Sequence, residues 1–349
     1  MCSKRSGTAA SSNESIDREL APVNELHKFI FEGLPVRGML VKLQSGWQEL
    51  LLRRGNLQPG ASDSGHAFPE PVRALLGEMT AAACLMQGSL KFNGAIVLQV
   101  FGDGPVKLAV AETQADLSFR ATAKVVGPVD AGARLEAMLN VHGQGRCAIT
   151  LDPQDRQPGQ EPYQGVVPLH GDQREPLQNL SEVLEHYMLQ SEQLDTRLVL
   201  AANDSVAAGL LIQRLPMAGI GNLAGGARDE DQIGLNEDYN RIALLAGTLK
   251  AEELLTLDPM VLLRRLFWQE TLRLFEPMAP RFACRCSRDR VAGMLRGLGR
   301  DEIEGLIAER GEAEVACDFC GAQYCFDPVD AAGLFMAGRD QPPGPSGVQ

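Results

Sequence analysis

Apolar and polar residues alternate with the period of a β-strand where the patterned part of the chain begins. The alternation runs across residues 28–32 and again across Val36–Leu43, which predicts two strands. Further strand-like runs occupy residues 95–101, 106–112, 117–126, 145–153, 163–169, 197–202 and 207–216. The G-D-G-P at 102–105 predicts a hairpin turn between two of these runs. The pattern therefore predicts a β-rich region that extends to about residue 216.

Helical periodicity interrupts these strands in a few places. Residues 47–53 and 177–192 have amphipathic patterns, whereas residues 71–90 are rich in alanine and leucine and apolar on nearly every side. A helix that is apolar all round is predicted to be buried. Because strands follow strands with only a few helices between them, the sequence favours an α+β fold over a regular βαβ alternation.

After Pro216 the composition changes. A glycine-rich loop with an acidic run precedes a long stretch, 236–277, that has helical periodicity. Within it, Asp258 and Pro259 are a strong helix start, and the helix they open is predicted to run to Pro277. Its wide apolar surface is predicted either to pack against the core or to be uncovered under some condition. That surface consists of Leu262, Leu263, Leu266, Phe267, Trp268, Leu272 and Phe275.

The cysteines near the C-terminus form two tight pairs. Cys284 and Cys286 make a C-R-C, and Cys317 and Cys320 make a C-D-F-C-G whose glycine suits a tight turn. Two closely spaced thiolates from each pair match the tetrahedral four-ligand preference of zinc. The chain has no histidine after position 186, so a site here would have thiolate ligands alone. Four buried structural thiols would not explain the pairing. Helices at 288–298 and 301–310 and a hairpin at 315–326 are predicted around this four-cysteine zinc site.

Composition and charge narrow the function classes. The chain of 349 residues is 44% hydrophobic and has a net charge of −12, which disfavours binding to nucleic-acid phosphates. It lacks a run of about 18 apolar residues and an apolar signal core, so no membrane contact is expected. Eight cysteines without a signal sequence are typical of reduced thiols or metal ligands in the cytoplasm.

Together these patterns predict five regions along the chain. We expect a disordered lead at 1–23, an α+β core at 24–216, a helical linker region at 217–283, a zinc-binding domain at 284–335 and a disordered tail at 336–349.

The cysteine module and the core both carry motifs that resemble one family. The module reads F-x-C-x-C-S-R-D-R, then L-G-R-D-E-I, then C-D-F-C-G-A-Q-Y-C-F. The core contributes L-L-G-E-M-T-A-A, L-K-F-N-G, Q-V-F-G-D-G-P-V and Y-Q-G-V-V-P-L in the same order as in that family. On these motifs the chain resembles the redox-regulated heat shock protein 33 family of bacterial holdase chaperones.

This resemblance implies a function without turnover chemistry. In its reduced form, Cys284, Cys286, Cys317 and Cys320 would hold one Zn²⁺ and keep the chaperone inactive. Oxidants together with unfolding stress would form the disulfides Cys284–Cys286 and Cys317–Cys320, with loss of zinc and unfolding of the linker. The exposed surface would then bind unfolding client proteins without ATP, as a homodimer, and hand them to an ATP-driven foldase.

Three features depart from the family pattern, and two other functions stay open. Cys325 is an extra thiol, residues 55–70 lengthen a core loop, and Asp195 replaces a common proline. One alternative is a zinc-ribbon module that binds nucleic acid, against which the acidity counts. The other is a thiol–disulfide oxidoreductase, which would need a thioredoxin-like βαβ setting that the sequence lacks.

Overall fold

The computed structural model describes residues 24–55, 68–156, 159–215, 234 and 236–335. The predicted lead, tail and most of the lengthened core loop lie outside these residues. The strands are β1 (Glu25–Phe31), β2 (Val36–Leu43), β3 (Gly94–Phe101), β4 (Val106–Gln114), β5 (Ser118–Val125), β6 (Arg146–Pro153), β7 (Tyr163–Pro168), β8 (Thr196–Ala202), β9 (Ala207–Arg214), β10 (Leu272–Leu274), β11 (Arg281–Phe282), β12 (Ala313–Ala316) and β13 (Gln323–Phe326). The helices are α1 (Ser45–Gly55), α2 (Glu70–Ser89), α3 (Leu135–Leu139), α4 (Leu180–Glu192), α5 (Glu237–Gly247), α6 (Ala251–Thr256), α7 (Pro259–Leu266), α8 (Arg288–Leu298), α9 (Arg300–Arg310) and α10 (Pro328–Leu334).

The strands form two larger sheets and a C-terminal hairpin, which confirms the α+β prediction. The first sheet has the order β10-β1-β2-β9-β8, and the second has the order β11-β5-β4-β3-β6-β7. Each predicted core strand is present, and β3 and β4 pair as the hairpin expected from the G-D-G-P turn. The short helix α3 was not predicted, because five residues carry too little periodicity to show a helical pattern.

Helix α2 is the centre of the larger hydrophobic core. It packs against strands of both sheets, and its leucines, methionines and alanines are buried along nearly its whole length. This arrangement confirms the predicted burial of residues 71–90. A helix between two sheets has no solvent face, which explains why its sequence is apolar on nearly all sides.

A second hydrophobic cluster covers the other face of the first sheet. Phe29 and Phe31 of β1 lie under Phe267, with ring centroids 6.2 and 5.0 Å away, and all three side chains are buried. The side chain of Phe29 also lies across Gly38 of β2, where a Cβ atom would come within 2.2 Å of the ring. Helices α5, α6 and α7 pack further apolar side chains against this face of the sheet.

The prediction that one helix runs from Pro259 to Pro277 is wrong. Helix α7 ends at Leu266, and residues 272–274 form β10, which pairs antiparallel with β1. Further along, β11 pairs parallel with β5 through Arg281 and Phe282. Both strands lie at sheet edges whose unpaired backbone groups offer hydrogen bonds that outweigh the helical pattern. The linker region therefore contains short strands that complete both core sheets, besides its helices.

Asp195, one of the departures from the family pattern, holds the start of the linker region. Its carboxylate accepts a hydrogen bond from Nε of Arg214 at 2.7 Å, and both side chains are largely buried. The same carboxylate accepts the backbone N–H of Gly234 at 3.2 Å. Asp195 therefore links two core strands to the chain that leads into α5.

The C-terminal residues form a small unit with its own core. Helices α8 and α9 and the hairpin β12–β13 are present as predicted, and α10 follows them. The fully buried side chains of this cluster are few: Leu295, Ile303, Ala313, Phe326 and Ala331. So small a core contributes little folding free energy, which leaves room for a metal to stabilise the unit. Among the described residues, no helix is long and apolar enough to cross a membrane.

Candidate metal centre

The four paired cysteines meet where the linker region joins the C-terminal unit. Cys284 and Cys286 follow directly after β11, and Cys317 and Cys320 lie in the turn between β12 and β13. In that turn the N–H of Cys317 bonds the carbonyl of Ala322 at 2.9 Å, and the N–H of Gly321 bonds the carbonyl of Cys317 at 2.8 Å. Gly321 has a φ of 75°, as the sequence led us to expect of this glycine.

The four sulfur atoms are arranged closely enough to share one ion. All of them lie within 4.8 Å of one another, with Cys284 Sγ 3.6 Å from Cys317 Sγ and Cys286 Sγ 3.3 Å from Cys320 Sγ. A tetrahedral zinc with Zn–S bonds of about 2.3 Å separates its sulfurs by about 3.8 Å. The donor set and the spacing fit Zn²⁺. Both of these close approaches join one cysteine pair to the other.

The surroundings affect the individual thiols differently. Burial opposes ionisation of Cys286, but hydrogen bonds from the Tyr324 hydroxyl and the neighbouring thiols lower its pKa to about 7. Burial raises the pKa of Cys317, and the adjacent Cys284 adds to the rise. The pKa of Cys320 is raised by burial and by Cys286 and Cys284. Four thiolates this close repel one another, so all four ionise together only if a cation neutralises them.

Two arginines from the core contact the cysteine cluster, and sequence reasoning missed both. Arg120 of β5 lies beside Cys284, and its guanidinium stacks on the ring of Phe319, 4.1 Å from the centroid. Arg54 of α1 donates to the carbonyl of Asp318 and lies near Cys317 and Cys320. No local motif marks these residues, because they lie far from the cysteines in the sequence.

The arginines next to the cysteines in sequence make other contacts. Arg285 pairs with Glu112 of β4, Arg288 pairs with Asp330, and Arg290 donates to the carbonyl of Arg285. These side chains hold the module together and attach it to the core.

The cysteine cluster also packs directly against the main core. Cys320 belongs to the larger hydrophobic cluster, and the other three paired cysteines contact that cluster. Just before them, Phe282 of β11 meets Phe119 of β5 with ring centroids 6.5 Å apart. The candidate metal centre is therefore part of the interface between the C-terminal unit and the core.

The other described cysteines are separate from this centre. Cys84 and Cys147 are fully buried, and burial raises the pKa of each thiol to about 12. Cys325 is exposed on β13, opposite Glu314, and is not among the four clustered sulfurs. The four clustered sulfurs belong to the four cysteines whose spacing in the sequence predicts a metal site. Cys2 lies outside the described residues.

Comparisons with known proteins agree with this architecture. The model of the family described as Hsp33 protein matches residues 24–327. The chain is 42% identical to the 33 kDa chaperonin of Chromobacterium violaceum, over 89% of this chain and 94% of the relative. It is 41% identical to that of Methylobacillus flagellatus, over 91% and 98%. The crystal structure of the 33 kDa chaperonin, a heat shock protein 33 homolog, from Thermotoga maritima aligns with a TM-score of 0.67 at 20% identity. That alignment covers 89% of this chain and 97% of the other.

The α+β core, the four-cysteine module and these relatives define a class of chaperone. The chain belongs to the Hsp33 family.

Proposed function

We propose that this chaperone is a redox-regulated holdase that binds unfolding proteins only after its cysteine centre is oxidised. The observation that carries the proposal is the position of that centre. It follows directly on β11, and the same linker region supplies β10 and Phe267, which cover the edge and the apolar face of β1. A chemical change at the cysteines would therefore act on the segment that covers apolar surface.

In the reduced protein, Cys284, Cys286, Cys317 and Cys320 would hold one Zn²⁺. When bound, the metal would neutralise the thiolates and add folding free energy on the order of 10 kcal/mol to the small C-terminal unit. The arginines at the core side, Arg54 and Arg120, would stabilise negative charge on the sulfurs. The reduced form would be the inactive one.

Oxidation would remove the ligand set. Formation of each disulfide removes two electrons from a pair of thiolates. Hydrogen peroxide accepts these electrons, takes up two protons from the solvent and becomes two molecules of water. We propose Cys284–Cys286 and Cys317–Cys320 as the pairs, since each lies within one short chain segment. The module, with its small buried core, would then unfold and release the linker region from the core.

The released surface would bind unfolding client proteins without ATP. The buried Phe29, Phe31 and Phe267 would become exposed, and apolar surface of this kind binds the apolar segments of other unfolding chains. We further propose a cytoplasmic location, a homodimer in the active state, and release of clients to an ATP-driven foldase after reduction.

One experiment tests the proposal. The zinc-loaded reduced protein is treated with peroxide at elevated temperature, while zinc release, the number of free thiols and the aggregation of a denatured client are followed. We expect about one zinc per chain to leave, four thiols to disappear, and client protection to appear together. Equal protection by the reduced and oxidised forms would refute the redox switch.

A further inference from the structure

The chain's own linker region occupies the edge of β1 as an added strand. Residues 271–278 run alongside β1 in an extended conformation. The N–H of Leu26 bonds the carbonyl of Met278 at 2.8 Å, and the N–H of Phe275 bonds the carbonyl of Lys28 at 2.9 Å. At the other end, the N–H of Glu32 bonds the carbonyl of Thr271 at 2.9 Å. Backbone hydrogen bonds therefore attach this segment along the whole of β1.

The side chains of the segment contribute less to its attachment. Leu274 and Phe275 are 41% and 43% exposed, and Arg273 is also exposed. Leu272 is the member of β10 that packs against the apolar cluster of Phe29 and Phe31. An edge that holds a strand chiefly by its backbone accepts many sequences, because every polypeptide carries the same backbone groups.

We infer that the β1 edge, once residues 271–278 have left it, binds an extended segment of the client as a new strand of the first sheet. This inference rests on the proposed function, which supplies the release of the linker region. Backbone pairing would provide affinity for unrelated sequences. Phe29 and Phe31 would be uncovered when Phe267 departs. They would then favour client segments with apolar side chains at alternate positions, like the segment of this chain that has Leu272 and Leu274 opposite them.

The alternation of a strand provides a matched test. Successive N–H groups of a strand point to opposite sides, so the N–H of Phe275 faces β1 whereas that of Leu274 faces away. Three fluorescent peptides of residues 269–279 are compared: one unmodified, one N-methylated at Phe275 and one N-methylated at Leu274. A methyl group on the amide of Phe275 removes one hydrogen bond and blocks close approach, while the side chains stay the same.

We expect the oxidised protein to bind the unmodified and Leu274-methylated peptides with affinities within about twofold. Methylation at Phe275 should weaken binding by about tenfold or more. The reduced protein, whose edge is filled, should bind none of them. The unmodified peptide should also abolish client protection when it saturates the oxidised protein.

The outcomes separate this inference from the proposed function. If the oxidised protein protects a client but binds both methylated peptides equally well, strand addition is wrong and the holdase proposal stands. Peptide binding that leaves client protection unchanged, or equal binding by the reduced protein, also overturns the inference. If the oxidised protein gives no client protection even without peptide, the proposed function itself fails.

Discussion

Glu112 and Arg285 form an ion pair, 2.5 Å between Oε1 and Nη2, that ties the C-x-C segment to the core. The two residues are 173 positions apart in sequence. The Glu112 side chain is only 8% exposed and also pairs with Arg120, the arginine that contacts Cys284. One buried carboxylate thus pairs with Arg285 of the C-x-C segment and with Arg120 of the core, beside the candidate metal centre.

Removing the Arg285 side of this link should loosen the module without unfolding the core. Arg285→Ala leaves the Glu112–Arg120 pair in place, and because Arg285 is partly exposed the cost should be about 1 kcal/mol. We expect faster hydrogen–deuterium exchange at residues 281–286 and activation at a lower peroxide concentration. Arg281→Ala is the control, since its pair with Asp116 is exposed on both sides. Equal exchange in the two variants would contradict a specific role for Arg285.

Two adjacent aromatic residues should differ sharply in their effect on the linker region. Phe267 is buried against Phe29 and Phe31, whereas Trp268 is 76% exposed. Phe267→Ala should cost about 3 to 5 kcal/mol of docking and folding free energy. Trp268→Ala should change stability by about 0.5 kcal/mol or less.

The measurement is hydrogen–deuterium exchange at residues 271–278 of the reduced proteins as the temperature rises. In Phe267→Ala this segment should begin to exchange quickly at a lower temperature than in the unaltered chain, because its linker region detaches more easily. If Trp268→Ala shifts that temperature as much, the buried contact is not what holds the linker region in place.

Cys325 should be dispensable for the metal. It lies on β13 with an exposed side chain, outside the four clustered sulfurs. Cys325→Ser should still bind one zinc per chain, whereas Cys317→Ser should lose it, as measured by metal analysis of the purified proteins. Loss of zinc from Cys325→Ser would show that the ligand assignment is wrong.

Disulfide mapping of the oxidised Cys325→Ser protein should show which pairs form. We expect Cys284–Cys286 and Cys317–Cys320, although the sulfurs of Cys284 and Cys317 lie 3.6 Å apart and those of Cys286 and Cys320 lie 3.3 Å apart. Peptide mass spectrometry distinguishes these, since disulfides between the pairs link distant peptides. Linked distant peptides as the main product would refute the proposed pairing.

Glu78 of α2 should make the stability of the core depend on pH. Burial raises the pKa of its carboxyl from the ordinary 4.5 to about 7, and the charged side chains lining the same cavity are Glu70 and Arg134. The folded chain therefore holds a proton that the unfolded chain loses at lower pH. The contribution of this group is fully present below pH 4.5 and is lost as the pH rises through 7.

We expect the unaltered protein to lose up to about 3 kcal/mol of unfolding free energy from this group between pH 4.5 and 8. Glu78→Gln, which cannot ionise, should remove that part of the decrease. Urea denaturation of both reduced proteins across this range measures the difference. Parallel stability curves would show that Glu78 is ionised without cost.

Much of the fold and the identity of the four clustered cysteines could be predicted from local patterns. Alternation predicted β1 and β2, continuous apolarity predicted the buried helix α2, and cysteine spacing predicted the four clustered thiols. Each signal lies within a short stretch, where side-chain period and ligand chemistry depend little on the rest of the chain. The prediction of a helix beyond Leu266 was wrong because the deciding interaction there is not local. Its periodicity was compatible with a helix, but the open edge of β1 offered backbone partners that no local pattern reveals.

The sequence by itself determined the core strands, the central helix and the four thiols of the candidate metal centre. Only the tertiary structure decided that β10 and β11 close the two sheets, and that Arg54, Arg120 and Glu112 surround or anchor the cysteines. The physical reason is the distance along the chain over which each interaction acts. Periodicity and metal ligation act over a few residues, whereas edge pairing and buried charge pairing join segments whose sequence separation carries no signal.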